Sequence, residues 1–127
     1  MRKIVITADD ITVTAELNES ATAEEIWEQL PLQGTVQTWG DEVYFEIPVE
    51  AEQAPNARAS VEVGTLGYWP MGQAFCIFFG PTPASTDGKP RAYSPVNIIG
   101  SMIDDPAVLQ EVTPGSTIRV ARARKQD

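Results

Sequence analysis

The sequence predicts a mainly β protein with about eight short strands and one or two short helices. Three observations lead to this prediction: short apolar segments that alternate with period two, turn residues between them, and one strong stretch of helical spacing. Many short strands at regular spacing are typical of a barrel or a sandwich. With 127 residues, 43% of them hydrophobic, the chain is long enough to bury a core. We expect residues 1–127 to form a single domain.

A β-hairpin is predicted near the N-terminus. Apolar residues alternate with others over 4–8 and again over 11–17, on either side of the polar pair Asp9-Asp10. Period-two spacing on both sides of a short polar turn indicates two paired antiparallel strands.

One amphipathic helix is predicted after the hairpin. Thr22 is expected to cap its N-terminus, and Glu25 completes a capping box three residues later. Pro31 ends the segment. The apolar residues that fall on one helical face are Ala23, Ile26, Trp27 and Leu30. We expect this face to cover one end of a sheet.

The remaining strands are predicted from alternation and from the turns that separate them. They cover residues 35–39, 42–47, 61–64, 66–69, 74–79, 96–103 and 118–123. The proline-bearing segments 48–59 and 80–95 are predicted to be loops. Either aspartate of Asp104-Asp105 is expected to cap a short helix, with Pro106 in its first turn. Because residues 74–79 are apolar at every position, that strand is predicted to be buried on both faces.

Composition excludes several kinds of active site. The chain contains no histidine, so Ser-His-Asp and Cys-His catalytic units and histidine-ligated metals are impossible. The one cysteine, Cys76, forms neither an internal disulfide nor a zinc cluster. No catalytic residue, no metal site and no cofactor is predicted.

Charge and hydropathy limit the kinds of partner that the protein is expected to bind and the cellular location that is expected for it. Nine basic residues against 18 acidic ones give a net charge of −9, which disfavours binding to nucleic-acid phosphate. No stretch approaches the ~20 apolar residues of a transmembrane helix, and the N-terminal apolar run is too short for a signal-peptide core. We therefore expect a cytoplasmic protein that binds neither nucleic acid nor a membrane.

Two groups of motifs are distinctive. The first combines Val-Gly-Thr-Leu-Gly-Tyr-Trp-Pro at 63–70, the aromatic strand at 74–79 and the loop Asp87-Gly88-Lys89, and it resembles a pattern of the cyclophilins. The second adds residues 38–45 and 96–100 and is similar to the small prokaryotic cyclophilin-like family of uncharacterised function. This resemblance covers nearly the whole chain. It implies a closed eight-stranded barrel with a helix plugging one open end.

The resemblance to the prolyl isomerases among the cyclophilins is weaker where their chemistry lies. Their catalytic arginine has no counterpart in residues 36–40, and Pro90 stands where the pattern has histidine. Cys76 replaces one of the two phenylalanines of the aromatic strand. The resemblance therefore implies the fold and not the activity, and weak prolyl isomerisation involving Phe75 is kept as an alternative.

Aromatic residues concentrate in neighbouring predicted strands. Since alternate residues of a barrel strand face inward, we expect aromatic side chains to line a pocket at one end, with three polar residues among them. The candidate pocket residues are Thr38, Trp39, Glu42, Tyr44, Tyr68, Trp69, Phe75, Phe79 and Asn97. The alternative interpretation is that the aromatic residues are core and that Glu42 and Asn97 are their hydrogen-bond partners.

Glu42 and Cys76 are the two residues considered for chemistry. Glu42 would serve as a general base if burial beside Trp39 and Tyr44 raised its pKa, and the alternative is a hydrogen-bonded strand carboxylate. Cys76 lies in an apolar strand with no histidine to activate it, so an inert core residue is expected.

A binding module is the function that the sequence favours, with a small molecule or a short peptide held at an aromatic-lined surface. Two alternatives stay open: a weak peptidyl-prolyl isomerase, and a protein-interaction subunit of an amide-cleaving or oxoprolinase-type complex, since related barrels form domains of such enzymes. A second copy of the chain is a further candidate partner.

Overall fold

Ten strands and two helices build residues 2–124, the part of the chain that the computed structural model describes. Helix α1 spans Ala21–Gln29, and a short 3₁₀ helix spans Pro106–Glu111. The strands are β1 (Arg2–Ala8), β2 (Ile11–Leu17), β3 (Leu32–Thr35), β4 (Gln37–Thr38), β5 (Glu42–Glu46), β6 (Arg58–Ser60), β7 (Thr65–Trp69), β8 (Ala74–Phe78), β9 (Arg91–Met102) and β10 (Thr117–Arg122). Met1 and residues 125–127 of the expected domain lie outside the described residues. Neither helix within 2–124 has the length and apolar character needed to cross a membrane.

Strand β1 lies between β2 and β10. Its alternating apolar residues place Ile4 opposite Ala15 on one side and Ile6 opposite Val120 on the other. Asp9 makes the turn from β1 to β2 with a positive φ of 53°, which aspartate tolerates better than most residues. The hairpin predicted from period-two spacing is confirmed.

The sheet is an open path of strands. Its order is β3-β10-β1-β2-β9-β7-β8-β5-β4, with β6 paired to β9 at the side. The mainly β class is confirmed, with ten strands instead of about eight. The closed barrel is not confirmed, because no strand pair within residues 2–124 joins the two ends of the path. Strand β3 meets β5 through a side chain instead: a Cβ atom on Gly34 would lie 2.8 Å from Phe45 Cδ2.

Strands β5, β7 and β8 send alternate residues into two apolar layers. Phe75 and Ile77 of β8 lie in an inner core, whereas Cys76 and Phe78 lie on the opposite face. The inner core also contains Ile4, Ile6, Val13, Ala15, Val43, Phe45, Leu66, Tyr68, Ile118 and Val120. The outer cluster consists of Val61, Ala74, Cys76, Phe78, Ala92 and Val96. All five residues of β8 are buried, which confirms the prediction of a strand buried on both faces.

The N-terminal half of strand β9 covers the outer cluster, because β9 is long enough to continue past the strands that its C-terminal half pairs with. Its C-terminal half pairs with β2 and β7, and its N-terminal half pairs with β6. The loop predicted over 80–95 is therefore wrong from Arg91 onward. The strand predicted over 61–64 is also wrong, because β6 ends at Ser60 and Val61 is buried without being part of a strand.

The predicted N-cap of helix α1 is wrong by two residues. Ser20 is the cap, and its Oγ accepts a hydrogen bond from Ala23 N at 3.3 Å. Thr22 is the second residue of the helix and is buried, and its hydroxyl accepts a hydrogen bond from Asn97 instead. The helix ends before Pro31, as the sequence predicts.

Two cations lie over the ring of Trp27 on helix α1. The ring is half-buried against the inner core, and the guanidinium carbons of Arg2 and Arg122 lie 5.4 and 4.7 Å from its centroid. These cation–π contacts join the helix to β1 and β10.

The two aspartates before the 3₁₀ helix have separate roles. Asp105 is the cap, and its Oδ1 accepts from Ala107 N at 3.0 Å while Pro106 occupies the first turn. Asp104 instead accepts from Thr14 N at 2.8 Å. The predicted short helix is confirmed, and its cap is Asp105.

Asn97 of β9 joins three parts of the chain. Its Oδ1 accepts from Ala54 N at 2.7 Å, and its Nδ2 donates to Thr22 Oγ1 at 3.0 Å and to Glu52 O at 2.9 Å. Only 1% of the residue is exposed. Asn97 therefore holds helix α1 and the loop that follows β5 against the sheet.

Replacing Asn97 by alanine is expected to lower the free energy of unfolding by about 2–4 kcal/mol, because three hydrogen-bonding groups then lose a partner in a poorly hydrated place. Urea unfolding measures the change. Asn56→Ala, at an exposed turn of the same loop, is the control and should shift stability by less than ~0.5 kcal/mol. Equal losses in the two variants would contradict the structural role of Asn97.

Candidate functional site

A pocket of about 160 Å³ opens on the outer face of the sheet. Strand β5 contributes two of its residues, β7 one, β9 three, and the turn before β5 the last. The lining residues are Trp39, Glu42, Tyr44, Trp69, Ala92, Tyr93 and Val96. The structure thus brings together four of the nine candidate residues, namely Trp39, Glu42, Tyr44 and Trp69.

The other five candidates lie elsewhere. Tyr68, Phe75 and Phe79 belong to the inner core, Asn97 makes the structural bonds described above, and Thr38 is exposed on β4 without lining the pocket. On β7, Tyr68 points into the inner core, whereas Trp69 packs on the opposite face against the outer cluster. The expected pocket inside a barrel end is therefore replaced by one on the outer face.

Tyr93 is the aromatic lining residue that the sequence analysis missed. Its segment is rich in proline, a composition that favours a loop. The sequence signal for this strand is the spacing of the apolar residues Ala92 and Val96 in the segment 91–96. In the structure these two residues are buried, and Tyr93 between them is exposed. With 72% of its surface exposed, Tyr93 forms the rim of the pocket.

Trp69 is held from several sides. Its Nε1 donates to Ser94 Oγ at 2.6 Å, and Gly72 lies so near the ring that a Cβ atom there would collide with it. The ring meets Tyr44 at 6.4 Å and 85°, and Tyr93 at 6.0 Å and 73°, measured between centroids and planes. These edge-to-face contacts fix the indole as a wall of the pocket.

Trp39 is positioned by the turn between β4 and β5. Gly40 has a positive φ of 60°, and Trp39 N donates to Glu42 O at 3.0 Å. The turn packs on the loop after β8, since a Cβ atom on Gly40 would lie 2.8 Å from Pro83 Cδ. The Trp39 ring then reaches Tyr93 at 6.1 Å and 73°.

Glu42 is a buried carboxylate with no cation beside it in residues 2–124. Only 6% of the residue is exposed. Loss of hydration raises its pKa from 4.5 to about 7, and a hydrogen bond with the Cys76 side chain opposes part of that rise. Glu42 therefore has the raised pKa that a general base at this position requires.

Cys76 and Tyr44 stay neutral beside Glu42. Complete burial, and then the charge of Glu42, raise the pKa of the Cys76 thiol well above its ordinary value. Burial also raises the pKa of Tyr44, with smaller contributions from Glu42 and Cys76. A buried neutral thiol is a poor nucleophile, in line with the inert role expected for Cys76.

No group of three or more metal-ligating side chains was found in the part of the chain that the structure describes.

Glu42→Gln is expected to alter how stability depends on pH. The unfolded chain loses this proton near pH 4.5 and the folded protein near pH 7, so the folded state binds the extra proton between these values. The wild-type protein therefore loses stability as pH rises through this window, by an amount on the order of 3 kcal/mol. The variant lacks this loss, so its stability relative to wild type should increase from pH 5 to pH 8 in urea unfolding.

The control for this experiment is Glu46→Gln, on the same strand but exposed. Because Glu46 is exposed, this exchange should change stability by less than ~0.5 kcal/mol at either pH. A pH-independent difference between Glu42→Gln and wild type would contradict the raised pKa.

Solved structures that are similar to this chain include the following two. The solution structure of the hypothetical protein AF2241 from Archaeoglobus fulgidus is 36% identical, with a TM-score of 0.81 over 96% of this chain and 95% of that one. The structure of McbB in complex with tryptophan is 23% identical, with a TM-score of 0.67 over 98% of this chain but only 45% of the McbB chain. At that identity, the likeness to McbB concerns the fold alone.

The comparison with sequence families agrees with the motifs. No curated protein matches the sequence at a significant level. The model of the family described as cyclophilin-like matches residues 2–121, nearly the whole chain. The resemblance inferred from the motifs is therefore confirmed: the chain belongs to the cyclophilin-like family.

Proposed function

We propose that this protein binds a small molecule in the pocket on the outer face of its sheet. The observation that carries the proposal is the convergence of two tryptophans and two tyrosines around one buried carboxylate. These rings come from β5, β7, β9 and the turn before β5. Binding sites typically combine a mostly apolar, concave lining with a few polar groups that orient the ligand.

The size and lining of the pocket limit the size and chemistry of the ligand that it can bind. A volume of about 160 Å³ is close to that of a cavity that holds one benzene-sized ring. Aromatic walls contribute large contact areas at little cost in side-chain entropy. A single ring or a compact alkyl group is therefore the part of a ligand that enters.

The shared fold of McbB adds limited support. That protein was solved in complex with tryptophan, and this chain matches 45% of its length. A related fold has thus been seen together with an aromatic small molecule. The pocket of this chain itself supplies the argument for a ring-sized ligand.

The other predicted functions have less support. Prolyl isomerisation depended on Phe75, which is fully buried with its ring centroid 5.5 Å from that of Phe45. No observation in residues 2–124 favours that activity. Membership of an amide-cleaving or oxoprolinase-type complex, the closed barrel and the cytoplasmic location stay predictions.

Indole tests the proposal as a ring-sized probe. We expect it to bind and to shift the backbone amide signals of residues 39–44, 69 and 92–96 in heteronuclear NMR spectra. Tyr93→Ala should weaken binding about tenfold, because one aromatic wall is worth roughly 1.4 kcal/mol. Tyr93 is exposed, so this variant should fold normally.

Trp27→Phe is the matched control, because Trp27 lies on helix α1 away from the pocket. It should bind indole as wild type does. Shifts that appear elsewhere, or equal losses in both variants, would overturn the proposed site.

A further inference from the structure

Among the described residues 2–124, the pocket is lined by one acidic side chain and no basic one. Of its seven lining residues, Glu42 is the one that carries a charge near neutral pH. An anionic ligand group would meet this carboxylate without any counter-charge. A neutral ligand would leave the ionised carboxylate buried without a partner, which is costly.

The four aromatic rings stand at steep angles to one another. The planes of successive neighbours from Tyr44 through Trp69 and Tyr93 to Trp39 meet at 85°, 73° and 73°. They therefore form separate walls and not a flat stack. A compact cation between such walls meets several π-systems at once, and each ring face attracts positive charge.

We infer that the pocket binds a compact organic ammonium ion, with Glu42 as the counter-charge and the four aromatic rings as walls. This inference rests on the proposed function and adds the ligand class to it. The net charge of −9 favours the approach of cations. The volume of about 160 Å³ suits an alkylated ammonium head.

Binding is linked to the proton on Glu42. The other titratable groups that face it are Tyr44 on its own strand, Cys76 on β8 and Tyr93 on β9, while β7 contributes Trp69, which does not titrate. Burial raises the pKa of Tyr44 and, much more, the pKa of Cys76. Glu42 is therefore the group that changes charge between pH 5.5 and 8, and an ammonium ion binds its ionised form more tightly.

Choline and 3,3-dimethylbutan-1-ol test this inference as a matched pair. The alcohol is the carbon isostere of choline, so the two probes have nearly the same shape and differ in charge. Isothermal calorimetry at pH 8 should show choline binding at least about tenfold more tightly than the alcohol. Choline affinity should fall several-fold at pH 5.5, whereas the affinity of the alcohol should not fall, because a neutral ligand gains nothing from the ionised carboxylate.

Glu42→Gln keeps the size of the side chain and removes its charge. It should lower choline affinity at pH 8 about tenfold, abolish the pH dependence and not weaken the binding of the alcohol. Glu46→Gln, exposed on the same strand, should retain the preference for choline. Tyr93→Leu removes an exposed aromatic wall and should reduce the preference even if Glu42→Gln fails to fold.

A peptide that carries trimethyl-lysine, compared with the unmodified peptide, distinguishes a protein side chain from a free small molecule as the source of the ammonium group. Binding of the peptide without binding of choline would overturn a free small molecule as the ligand.

The failures of the two proposals can be told apart. Equal affinity for choline and the alcohol, or a preference that survives Glu42→Gln unchanged, overturns the ammonium ligand while binding of indole keeps the pocket as the site. Binding of indole together with no binding of choline likewise overturns the ammonium ligand and keeps the pocket as the site. Absence of binding for indole, choline and the alcohol overturns the pocket itself.

Discussion

Burial of β8 on both of its faces is the constraint on which the rest of the structure depends. Phe75 and Ile77 enter the inner core, while Cys76 and Phe78 would face water unless something covered them. Leaving one large apolar side chain exposed forgoes roughly 1.5–3 kcal/mol. The N-terminal half of β9 provides the cover, and Val96 approaches so closely that a Cβ atom on Gly67 would lie 2.9 Å from its Cγ2.

The pocket lies at the edge of this cover. Ala92 and Val96 pack on the outer cluster, but Tyr93 points outward between them, so the side chains of β5 and β7 below are only partly enclosed. Glu42 lies in this gap, opposite Phe78 in the strand register. An apolar residue would suit that position better for stability. A carboxylate held there at a cost in folding energy is the kind of local conflict that folds retain at functional sites.

Local patterns predicted those elements whose signals are themselves local. The hairpin β1–β2 follows from alternation on both sides of Asp9-Asp10, and the start of the 3₁₀ helix follows from an aspartate before Pro106. Local sequence does not distinguish Ser20 from Thr22 as the N-cap of helix α1, because both residue types are good caps. In the fold, the Thr22 hydroxyl accepts a hydrogen bond from Asn97, 75 residues away, and Ser20 is the cap. The start of β9 was missed because prolines masked the alternation in 91–96, and the pairing that makes this segment a strand comes from β6.

By itself the sequence determined the mainly β class, the family and most strand positions, since periodicity and motifs are properties of neighbouring residues. It also identified Trp39, Glu42, Tyr44 and Trp69, although it grouped them with Tyr68 and Phe75 from the opposite face. Alternation shows that Tyr68 and Trp69 point apart, but it does not show which of the two faces the core. Only the tertiary structure decided which of the two residues faces the core, where Tyr93 lies and how far the pKa of Glu42 is raised. These three features depend on which distant strand covers the outer face of the sheet and on how much water that strand excludes.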